Sequence, residues 1–163
     1  MALTMPETTA PLEIAGSTAP RRRRRRLRLL AVVFAMAIVA TACNEHEMRM
    51  TDLVNSARTQ RGLRALEFNT ALYNKATAWA QKMAADGRLS HSNLAQGNPY
   101  NWRSLGENVG MGCGVSIDTI HNNLMNSTQH RANILNPNFN YWAVGVFTDS
   151  RGCLWVVQEF MWL

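Results

Sequence analysis

The sequence lacks a long apolar run, the common enzyme motifs and, beyond residue 42, any clear excess of charge. Its longest uncharged apolar stretch, residues 29–40, is twelve residues long, whereas a permanent membrane-spanning helix needs about 20. The chain has no Walker loop, dinucleotide fingerprint or Gly-x-Ser-x-Gly elbow. Its 163 residues have room for one ordinary domain. These absences point away from a membrane anchor and from the best-marked enzyme classes.

The net charge of +6 belongs to the first 42 residues rather than to the domain that follows. Those residues contain seven arginines and two glutamates, which leaves 10 basic and 9 acidic residues in 43–163. Binding to a nucleic-acid backbone needs a basic face. Nucleic acid is therefore not an expected partner.

The first 42 residues have the order of a signal peptide. Arginines at 21–26 precede the apolar stretch, and the small residues 40–42 follow it. We predict cleavage before Cys43 and a mature chain that is secreted or held in the cell envelope. Cys43 is also a lipidation candidate, because bacterial lipoprotein signals end in small residues directly before a cysteine. Ala40 stands where those signals usually have Leu, so simple secretion and a retained leader stay open. Membrane contact is expected only through the signal segment or a lipidated Cys43.

Two of the three cysteines, Cys113 and Cys153, lie well inside the predicted domain. Export would place them in an oxidising compartment, where paired cysteines normally form disulfides. We therefore expect a disulfide between them, since processing at the leader explains Cys43. The alternative is a pair of reduced, buried thiols.

Hydrophobic spacing predicts helices first and strands last. The clearest helix opens at Asn69 or Thr70 and is closed by Gly87. The strands flank the turn-forming residues 148–152, so they form an antiparallel hairpin. The predicted elements are helices over 48–61, 70–85 and 116–125, a helical turn over 129–135, a loop over 90–103 and strands over 141–147 and 153–162. We expect an α+β domain over 51–163, after an unstructured lead over 43–50.

Three side chains stand out as candidate functional groups. His91 and His130 lie in distinctive local sequences. Glu107 lies between Gly and Asn in a strand-like segment, where an acid is costly unless it points into a polar pocket. We expect His121 at a helix surface or in packing, and His46 in the lead.

Several short motifs occur in order along the chain: NSAR at 55–58, LSHS at 89–92, GENV at 106–109, MNS at 125–127 and HRANIL at 130–135. Together they resemble the bacterial branch of the CAP superfamily, which includes cysteine-rich secretory proteins, antigen 5 and plant pathogenesis-related proteins. The resemblance covers about residues 52–160. It implies a three-layer α-β-α sandwich, the CAP or SCP domain, with a C-terminal β-hairpin. It also implies a cavity lined by His91, Glu107 and His130, and it suggests Asn108, Ser127 and Asn133 as supporting residues.

The resemblance is incomplete at one acidic position. Many members of the superfamily carry a second acid on the helix before the second histidine, where this chain has no acid nearer than Asp118. Two imidazoles and one carboxylate could still hold Zn²⁺ or another divalent cation with an open position. The same three groups could instead form a hydrogen-bonded brace between helices and sheet. The sequence therefore establishes no cofactor.

The resemblance implies a binding function rather than a reaction, because no single reaction unites the superfamily. We expect an extracellular protein that binds a lipid, cell-wall or protein ligand. The first alternative is a metal-dependent hydrolase that uses His91, Glu107 and His130. Independently of a metal, Cys113 or Ser127 is a conceivable nucleophile beside His130. The second alternative is a structural envelope protein.

Overall fold

The computed structural model describes residues 45–98 and 100–163. The predicted signal peptide and Cys43 lie outside these residues. No helix in the described part is long and apolar enough to cross a membrane. The described elements are the helices α1 (45–59), α2 (Thr70–Asp86), α3 (Ile117–Asn126) and α4 (Thr128–Ile134), and the strands β1 (Glu67–Phe68), β2 (Ser104–Cys113), β3 (Tyr141–Thr148) and β4 (Cys153–Trp162).

The strands form one sheet in the order β1-β3-β4-β2. The predicted hairpin is confirmed, because β3 and β4 pair antiparallel. β2 also pairs antiparallel with β4 along its whole length, and β1 pairs parallel with β3. The sequence pattern indicated neither β1 nor the full length of β2. β1 has only two residues, and β2 contains three glycines, which are depleted in strands.

The two faces of the sheet pack against different helices, which confirms the predicted α-β-α sandwich. Side chains of β3 and β4 such as Val144, Val156 and Phe160 pack against α1, α3 and α4. On the opposite face Trp155 and Val157 pack against α2. Successive strand residues point to opposite faces, so a residue's position along the strand decides which helix layer it meets.

α2 has the predicted ends and lies very close to the sheet. The Asn69 side chain accepts hydrogen bonds from two backbone N–H groups of the first turn, and Gly87 ends the helix with a φ of 64°. A Cβ atom added at Gly145 would lie 2.3 Å from the backbone nitrogen of Thr77. Glycine at 145 therefore lets the backbones of β3 and α2 approach more closely than any side chain at this position would allow.

The prediction of an unstructured lead is wrong for residues 45–50. They are helical, so His46 lies in α1 rather than before it. Met50 and Val54 are both fully buried, and residues four apart share one face of a helix. Burial of this face extends the helix toward the N-terminus.

The predicted disulfide between Cys113 and Cys153 is confirmed. The two cysteines are directly opposite each other at the end of β2 and the start of β4. The bond closes a loop with a sequence separation of 40 residues. Cys113 is therefore not a free thiol nucleophile.

Candidate functional site

His91 and Glu107 form a hydrogen-bonded pair at the border of the sheet. His91 Nδ1 lies 2.7 Å from Glu107 Oε1. The Glu107 side chain is 1% exposed, whereas that of His91 is 62% exposed. Glu107 thus fixes the orientation of an imidazole whose other nitrogen, Nε2, faces away from the carboxylate. Such an imidazole can accept a proton or a ligand at Nε2.

The backbone after His91 is bound to the same carboxylate. The Ser92 N–H donates to Glu107 Oε1 at 2.9 Å and reaches Oε2 at 3.3 Å. Charge-assisted bonds of this kind are stronger than neutral ones. The Glu107 carboxylate therefore finds its hydrogen-bond partners in the 91–92 segment, and it holds that segment against β2.

A second buried acid, Glu159, lies directly opposite Glu107 on β4. It is fully buried and accepts a hydrogen bond from Lys75 Nζ at 2.6 Å. Burial raises the pKa of Glu159 to about 7; Lys75 opposes this shift, while the charge and hydrogen bonding of Glu107 add to it. The second acid that many superfamily members carry on the helix before His130 is missing from this sequence, and the structure places a different acid, Glu159 of β4, beside Glu107.

The signal for Glu159 was present in the sequence but was not used. Glu159 lies in the otherwise mostly apolar sequence of β4, and an acid is costly in such a strand unless it has partners. The same reasoning selected Glu107. Lys75 gave no comparable signal, because a lysine on an amphipathic helix is ordinarily solvated.

His130 lies on α4, which contacts β2. Its backbone carbonyl accepts a hydrogen bond from the Asn108 side chain at 3.0 Å. Asn133 donates to the Asn108 side chain at 2.9 Å and to the Glu107 carbonyl at 3.2 Å. Burial lowers the pKa of His130, and the charge of His91 lowers it further. Asn108 and Asn133 thus tie the turn that carries His130 to the strand that carries Glu107.

Arg58 supports the same turn from α1. Its buried guanidinium donates to the carbonyls of Ile134 at 2.8 Å and Asn136 at 2.9 Å. Burial lowers the pKa of Arg58. The buried Arg58 guanidinium, hydrogen-bonded to backbone carbonyls, thus fixes the chain path after α4. In the sequence Arg58 stood out only as part of the NSAR motif.

The remaining candidates lie apart from the His91–Glu107 pair. Ser127 occupies the N-cap position of α4, but its side chain makes no capping hydrogen bond. His121 is buried in α3, which agrees with the second of the two expected positions, in packing rather than at the helix surface, and burial lowers its pKa. Asp118 binds Arg49 of α1 at 2.6 Å. Among the described residues no group of three or more His, Cys, Asp or Glu could hold a metal ion.

A groove of about 530 Å³ lies beside the pair, between α2 and the loop over 92–97. Its lining residues are Ala71, Asn74, Lys75, Ala78, Trp79, Lys82, Ser92, Asn93, Gln96 and Gly97. Neither His91, Glu107 nor His130 lines it, so the predicted histidine-lined cavity is not this groove. The groove is connected to the buried acids through Lys75 and Ser92, which contact Glu159 and Glu107.

The loop wall of this groove is attached to α2 by side-chain hydrogen bonds. Trp79 Nε1 donates to the Ser90 carbonyl at 2.8 Å, and Lys75 Nζ donates to the Leu94 carbonyl at 3.3 Å. Lys82 lies 5.6 Å from the centre of the Trp79 ring and pairs with Asp86. Both lysines of the groove thus have acidic partners, and the groove is a fixed, locally neutral recess.

A comparison with protein families matches residues 51–160 to the cysteine-rich secretory protein family, CAP. YkwD of Bacillus subtilis strain 168 is 29% identical over 126 residues, which cover 72% of this chain and 48% of YkwD. The chain therefore spans about half the length of this curated relative.

Solved structures show the same fold. An extracellular SCP-domain protein from Bacillus anthracis aligns with a TM-score of 0.66 at 22% identity, over 77% of this chain and 43% of that one. An outer surface protein from Borrelia burgdorferi aligns with a TM-score of 0.66 at 16% identity, over 72% of this chain and 92% of that one. At these identities the likeness concerns the fold alone.

Proposed function

This chain belongs to the cysteine-rich secretory protein (CAP) family, and on that premise we propose that it is a non-catalytic extracytoplasmic binding protein whose ligand occupies the groove between α2 and 92–97. The observation that carries the proposal is the groove itself. Its volume of about 530 Å³ lies within the range of ligand sites, which is about 300–1,000 Å³. Its loop wall is held in place by the bonds from Trp79, Lys75 and Glu107.

Cell-wall glycan is the ligand class that the lining supports best among lipid, cell-wall and protein ligands. Sugar rings combine an apolar face with polar hydroxyls, and the groove combines the Trp79 indole with the side-chain amides of Asn74, Asn93 and Gln96. Because both lysines are paired with acids, the groove has no unpaired cation for a phosphate or carboxylate headgroup. An uncharged saccharide fits this combination.

Sedimentation with purified peptidoglycan tests this proposal. Ala78 is exposed and lines the groove, so Ala78→Trp should fill it without disturbing the core. Ala85→Trp makes the same change on an exposed position of α2 outside the groove. We expect Ala78→Trp to abolish co-sedimentation and Ala85→Trp to retain it. Equal binding by both variants would remove the groove from the function, and binding to phosphatidylglycerol vesicles instead would replace glycan with lipid.

Export is the second part of the proposal. The order of basic, apolar and small residues before Cys43 supports it, and the disulfide suits an oxidising compartment. The mass of the mature protein should correspond to a chain that starts at Cys43, and an added lipid mass would establish the lipoprotein form. Recovery of the intact chain from the cytosol would contradict export.

A metal-dependent hydrolase using His91, Glu107 and His130 is the alternative with specific support. Glu107 holds His91 at Nδ1, the arrangement that commonly orients histidine ligands of zinc. One protein of the same fold, NaASP2, was crystallised with Zn²⁺, at a TM-score of 0.51 and 12% identity. In that case His91 Nε2 and His130 would supply two nitrogen ligands, and the bound ion would polarise a water molecule.

A further inference from the structure

A second cavity, of about 380 Å³, lies at the open edge of the sheet. β1 ends at Phe68, opposite Trp142, so from Ala143 onward β3 has no strand on this side among the described residues, whereas β4 pairs with its other side. The cavity occupies this gap between the beginnings of α1 and α2. Its lining residues are Glu47, Met48, Thr51, Asp52, Phe68, Tyr73, Trp142, Ala143 and Val144. None of them lines the groove described above.

Aromatic rings form the walls of this edge cavity. Phe68 is 62% exposed, and its ring centre lies 5.7 Å from that of Tyr73, with the two planes inclined by 50°. Trp142 of β3 also lines the cavity, but its side chain is buried in the core, so the accessible rings are those of Phe68 and Tyr73. Aromatic faces carry negative partial charge, and several rings around one space attract organic cations.

The charged groups of the edge cavity have one sign. Glu47 and Asp52 line it, and none of its described lining residues is a lysine, arginine or histidine. Glu47 accepts hydrogen bonds from the Val146 N–H and the Tyr73 hydroxyl, both at 3.2 Å. Within residues 45–98 and 100–163, neither acid is in an ion pair. Burial raises the pKa of Glu47, a cost that a bound cation would offset.

Protection of the sheet edge explains only part of this arrangement. Glu47 Oε1 satisfies the Val146 N–H, as a residue covering an unpaired edge would. That role requires neither the aromatic corner nor the exposure of Phe68 and Met48. Exposed apolar side chains that gather around a cavity mark binding surfaces more often than isolated ones do.

We propose that the edge cavity binds an organic ammonium cation of the quaternary type, held against the rings of Phe68 and Tyr73 and balanced by Glu47 and Asp52. A quaternary ammonium group has no hydrogen to donate, so it is recognised by ring faces and by carboxylates at longer range. A free solute and a lipid headgroup are the two sources of such a cation, and the test below distinguishes them. This site is independent of the groove, so its failure would leave the binding function proposed above untouched.

Calorimetric titration with choline provides the test. The comparison ligand is the uncharged analogue of choline in which carbon replaces the nitrogen. Phe68→Leu keeps an apolar side chain but removes a ring, and Asp52→Asn removes one charge from an exposed position. Tyr100→Leu is the matched control, because Tyr100 is an exposed aromatic residue outside the cavity. Melting temperatures of all variants verify folding.

We expect choline to bind about tenfold more tightly than its uncharged analogue, and Phe68→Leu to weaken choline binding by about tenfold. Asp52→Asn should weaken it less, and Tyr100→Leu should leave it unchanged. Equal affinities for choline and the analogue would reduce the site to a plain apolar cavity, and absence of choline binding would overturn the proposal outright. Binding to phosphatidylcholine vesicles that free choline competes away would identify a lipid headgroup as the source, whereas binding of choline alone would identify a free solute.

Discussion

Glu107 and Glu159 lie directly opposite each other on β2 and β4, and both side chains are buried. Like charges opposite each other across strands destabilise a sheet, so each acid needs its own compensation. Glu107 has His91 and the Ser92 N–H. Glu159 has Lys75, which opposes the rise of its pKa to about 7. The two acids therefore anchor both walls of the groove, α2 through Lys75 and the 91–94 loop through Glu107.

The pKa of Glu159 predicts how stability depends on pH. An acid whose pKa rises on folding, here from 4.5 to about 7, binds more protons when folded than when unfolded between these two values. Its contribution to the free energy of unfolding is zero below about pH 4, becomes increasingly unfavourable as the pH rises toward 7, and levels off above the folded-state pKa. Between pH 5 and 8 the loss should be on the order of 2 kcal/mol. Urea unfolding of the wild type and of Glu159→Gln measures it.

The slope of the free energy of unfolding against pH, rather than its absolute value, identifies Glu159 as the titrating group. Glu159→Gln leaves Lys75 without its acid and should lower stability in its own right. It should also flatten the decline between pH 5 and 8, whereas Glu67→Gln, at an exposed position on β1, should keep the wild-type slope. Parallel slopes in wild type and Glu159→Gln would show that Glu159 titrates normally.

Much of this fold could be predicted because local signals and packing agree. α2 has Asn69 and Gly87 at its ends, and the strands of the hairpin have continuous burial. The pairing of β2 with β4 could not be predicted, because a glycine-containing strand and its partner are 40 residues apart and only the folded sheet brings them together. For the same reason the sequence indicated Glu107 as a buried acid but not its opposition to Glu159.

Adding a single methyl group at Gly145 should lower the stability of the protein strongly. The added Cβ in Gly145→Ala would meet the backbone of α2 within 2.4 Å at two atoms, Thr77 N and Ala76 C, and backbone cannot move aside as a side chain can. We expect a loss of about 3 kcal/mol in the free energy of unfolding. Gly110→Ala is the control, since its nearest contact is an Ile120 methyl at 3.3 Å. A loss at Gly145 no larger than at Gly110 would contradict the close approach of α2 and β3.

The effect of zinc on the melting temperature distinguishes a hydrogen-bonded brace from a metal site at His91. If His91 acts through its bond to Glu107, His91→Ala should lower stability by about 1 kcal/mol, equally with and without EDTA. Zinc should then leave the wild-type melting temperature unchanged. A zinc-dependent rise in melting temperature that is lost in His91→Ala and His130→Ala, but kept in His46→Ala, would establish the metal alternative instead.

The most direct test of the binding site is to map amide chemical shifts while soluble N-acetylglucosamine oligomers are added to the labelled protein. The account predicts shifts that centre on the groove, at Asn74, Ala78, Asn93 and Gln96, and that disappear in Ala78→Trp but persist in Ala85→Trp. Shifts that centre on another surface, or the absence of any saturable shift, would contradict the claim that this groove binds a cell-wall glycan.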